Sequence, residues 1–122
     1  MKMKDLAIDQ HNILVDLNQA QDDFEALFGA VQECVHQTAV NKGQWRGVKA
    51  KDVLLHVHSE VSELWREIEA ETQESETISG FSKREEEAAD IVLMIMSLSE
   101  QVLWRLGEAI VAKAKYNLKR ER

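Results

Sequence analysis

Proline is absent from this chain of 122 residues, and glycine occurs only five times. Without proline nothing interrupts a helix from within, and with so few glycines the breaks between elements must be few. Aromatic residues make up 6% and β-branched runs are short, which removes the usual material of sheets. An all-α fold follows. The single cysteine, Cys34, excludes an internal disulfide and is expected to fill a helix face; the expected compartment is the cytoplasm. No apolar run approaches a membrane span, the longest being Ile91 to Met96. Met1-Lys2-Met3-Lys4-Asp5 has none of the apolar stretch of a secretory signal. No membrane partner is therefore expected. Positive charge is also scarce: 15 Lys and Arg stand against 22 Asp and Glu, a net charge of −7. That balance speaks against nucleic acid as a partner, since binding it needs a basic patch. It leaves room for an anionic small molecule whose charge a metal offsets.

What the chain does contain is 44% hydrophobic and 30% charged residues, enough for one domain with a modest core. Residues 1–21 read as an N-terminal arm or short helix, with Leu6, Ile13, Leu14 and Leu17 on one side; residues 22–122 form the main domain. A helix starting at Asp22 or Asp23 carries Phe24, Leu27, Phe28, Val31 and Val35 as its apolar stripe to about Val40. Asn41-Lys42-Gly43 ends it, with Gly43 in the left-handed cap position. Trp45 follows in a polar connector, placed either as a lid on the core or as a ligand platform. Asp52 caps the next helix, which runs to about Ala70 or Glu74, and Glu71 to Ser79 is a flexible acidic loop. Ser82-x-x-Glu85 is a capping box opening a central helix that extends to about Arg105. Gly107 marks the break before a last helix from Glu108 to about Leu118, and a basic tail, Lys119 to Arg122, follows. Four helices of these lengths make a small four-helix bundle.

Two carboxylate pairs dominate the middle of the chain: Glu60-x-x-Glu63 and Glu87-x-x-Asp90. Residues three apart share a helix face. On the first helix Leu54, Val57, Val61, Leu64 and Ile68 form the core stripe, and His56, Glu60, Glu63 and Glu67 fall in an arc about 60° wide beside it. On the second, Glu87 and Asp90 project with Ile91, Met94 and Leu98 from a helix that is apolar nearly all round, the pattern of a buried central helix. Carboxylates facing a core are costly unless protonated, paired or bound to a cation. With the two faces packed together, four carboxylates converge where few basic residues are near in sequence. An all-oxygen cluster suits a hard divalent cation, Mg²⁺ first and Mn²⁺ as an alternative. Solvated helix faces are the plainer reading of the same glutamates. His56 and His58 are read as structural, because oxygen ligands suffice for Mg²⁺.

The order and spacing of these pieces resemble the all-α nucleoside triphosphate pyrophosphatases, and among them the MazG-like group, over roughly residues 24 to 120. Asn41-Lys42-Gly43-Gln44-Trp45 is similar to the family's Lys-Gly-aromatic-Trp segment, with Gln44 in place of the aromatic. His58-Ser59-Glu60-Val61-Ser62-Glu63 resembles its first motif, Glu87-x-x-Asp90 its second, and Lys113-x-x-Tyr116-Asn117-x-x-Arg120 its carboxy-terminal element. The resemblance implies Mg²⁺ on Glu60, Glu63, Glu87 and Asp90 and cleavage of a nucleoside triphosphate between the α and β phosphates. It implies substrate-binding roles for Lys42, Trp45, Lys113, Tyr116, Asn117 and Arg120: Trp45 stacks on the base, Lys113 and Arg120 grip phosphates, and Asn117 bonds the sugar or a phosphate. Glu63, Glu67 and Glu86 are the catalytic candidates, one of them orienting the attacking water. Phosphoribosyl-ATP pyrophosphatase shares a Glu-x-Ala-Ala-Asp piece but not the Trp45 segment or the Tyr116-Asn117 ending. A di-iron carboxylate bundle would want two Glu-x-x-His motifs, and only Glu33-Cys34-Val35-His36 is present. A non-catalytic helical interaction module is the reading from another class. Leu93, Met96 and Leu103, apolar and opposite Glu87, exceed what so short a chain can cover, so a homodimer or homotetramer (a dimer of dimers) is expected.

Overall fold

A computed structural model describes residues 10–120; Leu6 and the other residues of 1–9, and Glu121 and Arg122 of the tail, lie outside the described residues. Four helices run in order: α1 Gln10–Asn41, α2 Ala50–Glu69, α3 Lys83–Gln101 and α4 Leu106–Lys119. Among the described residues there is no strand, only one isolated antiparallel bridge between Glu74 and Ser82. The all-α class and the helix count agree with the sequence. The chain divides into two compact units, Gln32–Trp104 and the segments before and after it.

In the unit made from the start of α1 and α4, α1 already runs at Gln10, ahead of the expected start at Asp22 or Asp23. The reason is periodic: Leu14, Leu17, Gln21, Glu25 and Phe28 are its half-buried positions, a spacing of three and four that continues across residue 22. Phe24 and Phe28 stack tilted at 5.4 Å, and Lys115 Nζ donates to Gln21 Oε1 at 2.5 Å. Gly107 is not the break it was expected to be. It lies buried inside α4, where an added Cβ would come within 3.0 Å of the Phe28 ring, so glycine is there for close approach. The break falls instead at Leu103, the one non-glycine residue at positive φ (64°) among those described. A leucine there costs about 1 kcal/mol, and its side chain is 87% exposed.

The other unit holds the end of α1, the connector, α2 and α3. α1 stops at Asn41, and Gly43 takes φ 75° as expected of a left-handed cap. α2 starts two residues before Asp52: Lys49 is the cap, and the Asp52 carboxylate accepts its backbone N–H at 2.8 Å. α2 ends at Glu69, and α3 ends at Gln101 rather than near Arg105. The expected flexible loop between them is instead pinned. Ser75 is buried, its hydroxyl oxygen accepts the N–H groups of Thr77 and Ile78 at 3.1 Å each, and its proton goes to the Glu86 carboxylate. Ser75 N–H bonds Phe81 O and Lys83 N–H bonds Gln73 O, both at 2.8 Å. Arg84 closes the end of α2, donating to the carbonyls of Glu67 (2.9 Å), Ile68 (3.1 Å) and Ala70 (2.6 Å), where the helix leaves orphan acceptors.

The core is narrower than the sequence suggested. Of the described apolar residues, Met96, Leu98 and Val111 are fully buried. Ile91 and Leu93 to Ile95 are half-buried, Val92 is exposed, and Cys34 lies on an exposed face. On α2 the half-buried stripe is Val53, Val57, Glu60, Leu64 and Glu67, while Leu54, Val61, Trp65 and Ile68 are exposed, Trp65 to 67%. Three of the five residues of the expected α2 core stripe, Leu54, Val61 and Ile68, are therefore exposed.

The capping box at the start of α3 forms as read from Ser82-x-x-Glu85: the Ser82 hydroxyl accepts Glu85 N–H at 3.1 Å, and Glu85 Oε1 accepts Ser82 N–H at 2.9 Å. These bonds hold the Glu85 carboxyl below its usual pKa. Ser82→Ala is expected to lower the unfolding free energy by about 1 kcal/mol, read as an earlier urea midpoint with an unchanged slope. A midpoint that does not move would mean the cap carries no stability.

Candidate metal centre

α2 and α3 run antiparallel, so the middle of one meets the first turns of the other. That register brings oxygens of Glu60, Glu63 and Glu87 within 4.8 Å of one another. Glu60 and Glu87 are half-buried and Glu63 is exposed. Asp90 sits beside this trio rather than in it. One helical turn along α3 from Glu87, it shares with Glu60 the wall of a neighbouring cavity and is exposed. The buried setting expected for Asp90 is thus replaced by an open one.

The electrostatics are those of crowded like charges. Desolvation, then the hydrogen bond and charge of Glu60, then the charges of Glu63 and Asp90 push the Glu87 pKa up. Desolvation first, then Glu86 and Glu60, push Asp90 up. Among the described residues no Lys or Arg lies within 4 Å of any of the four carboxylates. Of the three nearest in sequence, Lys83 pairs with Glu67 at 3.7 Å, Arg84 holds the α2 carbonyls, and Arg66, three residues from Glu63, is exposed and more than 4 Å from every described carboxylate. His56 Nε2 lies 3.2 Å from Glu60 Oε1, which agrees with a supporting role, and His58 is exposed. An all-oxygen donor set of hard, negatively charged ligands without a competing cation fits a divalent ion of the Mg²⁺ type.

The adjoining cavity has a volume of about 820 Å³ and lies between the last turns of α1, the connector, α2 and α3. Lys42 and Trp45 line it together with Val48, Leu93 and Met94, so an aromatic and apolar region sits next to an acidic one. The other catalytic candidates are already committed: Glu67 to Lys83 and Glu86 to Ser75. Lys113, Tyr116, Asn117 and Arg120 belong to the other unit. There Lys113 Nζ sits 4.6 Å over the Tyr116 ring, and Lys113 and Asn117 share a shallow hollow on α4. The residues overlooked in the sequence are Ser97 and His36. Ser97 is a buried hydroxyl in an apolar helix, seven residues beyond Asp90 and so on nearly the same face, the one signal that pointed toward the cavity. Compared with protein-family models, characterised proteins and solved structures, the chain finds no match.

The upward shifts set a pH dependence. A carboxyl whose folded pKa is raised binds its proton more tightly in the folded state, so this contribution to stability is greatest in acid and is lost as pH rises through the raised values. At neutral pH the metal-free Glu87 and Asp90 are therefore a cost to the fold, through desolvation first and neighbouring carboxylates second. Glu87→Gln is expected to raise the metal-free Tm at pH 7 by roughly a few degrees, and to reduce the gain in Tm that millimolar Mg²⁺ gives the parent chain. Thermal denaturation with and without Mg²⁺ between pH 5 and 8 measures both effects. A destabilised variant, beside a parent chain indifferent to Mg²⁺, would show that the carboxylates do not repel.

Proposed function

We propose that this chain is a divalent-metal-dependent nucleoside triphosphate pyrophosphohydrolase, converting a (d)NTP into the (d)NMP and pyrophosphate in nucleotide-pool housekeeping. The reading rests on one observation: three carboxylates converge without a cation beside a cavity walled by an indole ring. The motif order stated above supplies the reaction type. Glu60, Glu63 and Glu87 would hold Mg²⁺, or Mn²⁺, with Asp90 alongside. Such an ion, when bound, offsets the charge of the triphosphate, polarises the α-phosphoryl group and acidifies the attacking water. The exposed Glu63 has the carboxylate best placed among the catalytic candidates to take up a proton from solvent, because Glu67 and Glu86 hold other partners. Lys42 and Trp45 face the cavity from the connector and supply a positive charge and a stacking surface. Roles for Lys113, Tyr116, Asn117 and Arg120 toward the phosphates and sugar follow from the resemblance.

The alternatives weaken on specific contacts. In the only Glu-x-x-His, His36 Nδ1 is held by Ser97 at 3.0 Å, and the one described histidine beside the trio, His56 on Glu60, belongs to no Glu-x-x-His, which counts against a di-iron bundle. A non-catalytic helical module gives no reason to hold three carboxylates together with no Lys or Arg within 4 Å among the described residues. Incubation with each (d)NTP and Mg²⁺ is expected to release pyrophosphate, to stop on chelation, and to fall at least about 100-fold in kcat with Glu60→Gln or Glu63→Gln. No turnover on any nucleotide would favour the interaction module.

The same reading includes a homodimer or a dimer of dimers. Leu54, Val61, Trp65 and Ile68 lie exposed along one stripe of α2, spaced by seven, four and three residues. An apolar stripe of this kind is covered economically by its own copy about a two-fold axis. Light scattering at micromolar concentration is expected to give at least twice the chain mass, and Trp65→Glu to shift it toward the monomer. A monomeric parent chain would remove the dimer from the proposal.

A further inference from the structure

Trp45 stands in a connector whose turns contain Gly43 and Gly47 at positive φ, 75° and 65°. Backbone bonds shape its turns, among them Gln44 N–H to Ala39 O at 3.0 Å, Arg46 N–H to Gly43 O at 3.2 Å and Val48 N–H to Trp45 O at 3.4 Å, but they do not set the direction of the indole. The ring itself is fixed from outside the connector. Its Nε1–H donates to Ser97 Oγ at 3.0 Å, and Ser97 Oγ also lies 3.0 Å from His36 Nδ1. An indole N–H only donates. Ser97 therefore accepts from Trp45 and shares its second hydrogen bond with His36 Nδ1. The His36 ring meets Trp45 edge-on, centroids 5.5 Å apart at 68°. The three groups form one hydrogen-bonded chain from the connector through α3 to α1.

We propose that Ser97 and His36 are positioning residues that lock Trp45 as the base-binding wall of the cavity, so that this wall recognises a nucleobase by stacking alone. The inference rests on the pyrophosphohydrolase reading. The one polar group of the indole is taken by Ser97, so Trp45 has no polar atom left to read the edge of a base, and what it presents is its π face. Stacking on a π face tolerates every base. Base preference at this site then belongs to other residues of the cavity. The lock also sets a length. Asp90 and Ser97 are seven residues apart on α3, about 10 Å along its axis, so one rigid helix spaces the acidic end of the site from its aromatic wall.

Two readouts test this, one of them independent of turnover. The chain has three tryptophans and so three indole N–H signals in a proton–nitrogen spectrum of the uniformly ¹⁵N-labelled chain, Trp45 being assigned by its loss in Trp45→Phe. Ser97→Ala is expected to shift the Trp45 signal and speed its hydrogen exchange while Trp65 and Trp104 stay in place. His36→Asn, whose side-chain amide can accept or donate where Nδ1 did, keeps the parent signal; His36→Phe does not. In kinetics Ser97→Ala is expected to raise KM about 5- to 10-fold, by a similar factor for a purine and a pyrimidine triphosphate, with kcat within about twofold. An unmoved Trp45 signal, movement of all three signals, or a KM change confined to one base class would overturn the lock. A parent chain without turnover would instead defeat the hydrolase reading, and the spectrum would still decide whether Ser97 holds Trp45.

Discussion

The close approach of Glu60, Glu63 and Glu87 across two helices is the constraint on which the rest of this site depends. Carboxylate oxygens within 4.8 Å of one another are tolerated in ordinary proteins when a lysine or arginine sits between them. Here two of the nearest cations in sequence, Lys83 and Arg84, are turned toward the end of the hairpin, and the third, Arg66, is exposed on α2. Arg84 supplies donors to three carbonyls that α2 leaves unsatisfied, and Lys83 takes Glu67. On α3 the charge that would neutralise the cluster instead ties together the elements that present it. The scaffold thus gains hydrogen bonds, and the cluster keeps its negative charge.

That diversion explains why the end of the hairpin is so heavily fastened. Three devices meet within one stretch: the Arg84 clasp, the Ser82–Glu85 capping box and the buried Ser75 hydroxyl on Glu86. Two antiparallel helices carrying mutually repelling carboxylates would otherwise splay where they are joined. Glu86 serves twice, since the carboxylate that anchors the loop also contributes to raising Asp90. Removing charge at one residue therefore alters both the loop and the acidity of the site.

Features governed by local chemistry were legible in the sequence. The Ser82 capping box, the glycine cap at Gly43 and the helical pairing of Glu60 with Glu63 each depend on residues within one or two turns. Features governed by distant contact were not. Gly107 reads as a breaker until the Phe28 ring is set against it, and nothing in the residues around Leu103 announces a left-handed backbone. The acidic composition of residues 71–79 suggests a solvated loop, whereas Ser75, small enough to be buried, organises it. Asp52 looked like a cap and serves as the third residue of the helix, a slip of one turn that the same side chain tolerates because it still bonds the capping N–H. Ser97 and His36 are 61 residues apart in sequence, and neither carries a local pattern that would announce their pairing.

The undersized core belongs to the same logic. On α2 the residues touching α3 form a central stripe, with Glu63 and His56 along one edge and Leu54, Val61, Trp65 and Ile68 along the other. At about 100° per residue those two edges face in different directions. Because one edge of α2 carries carboxylates, the helix has only one apolar side on which to build its interior. On the reading proposed above, the leftover apolar edge is the consequence of keeping the acidic edge clear. Association through that stripe, as proposed above, would complete the burial that a single chain lacks while leaving the carboxylates and the cavity beside them accessible. A helix apolar on both edges would bury more surface and leave no room for the carboxylates.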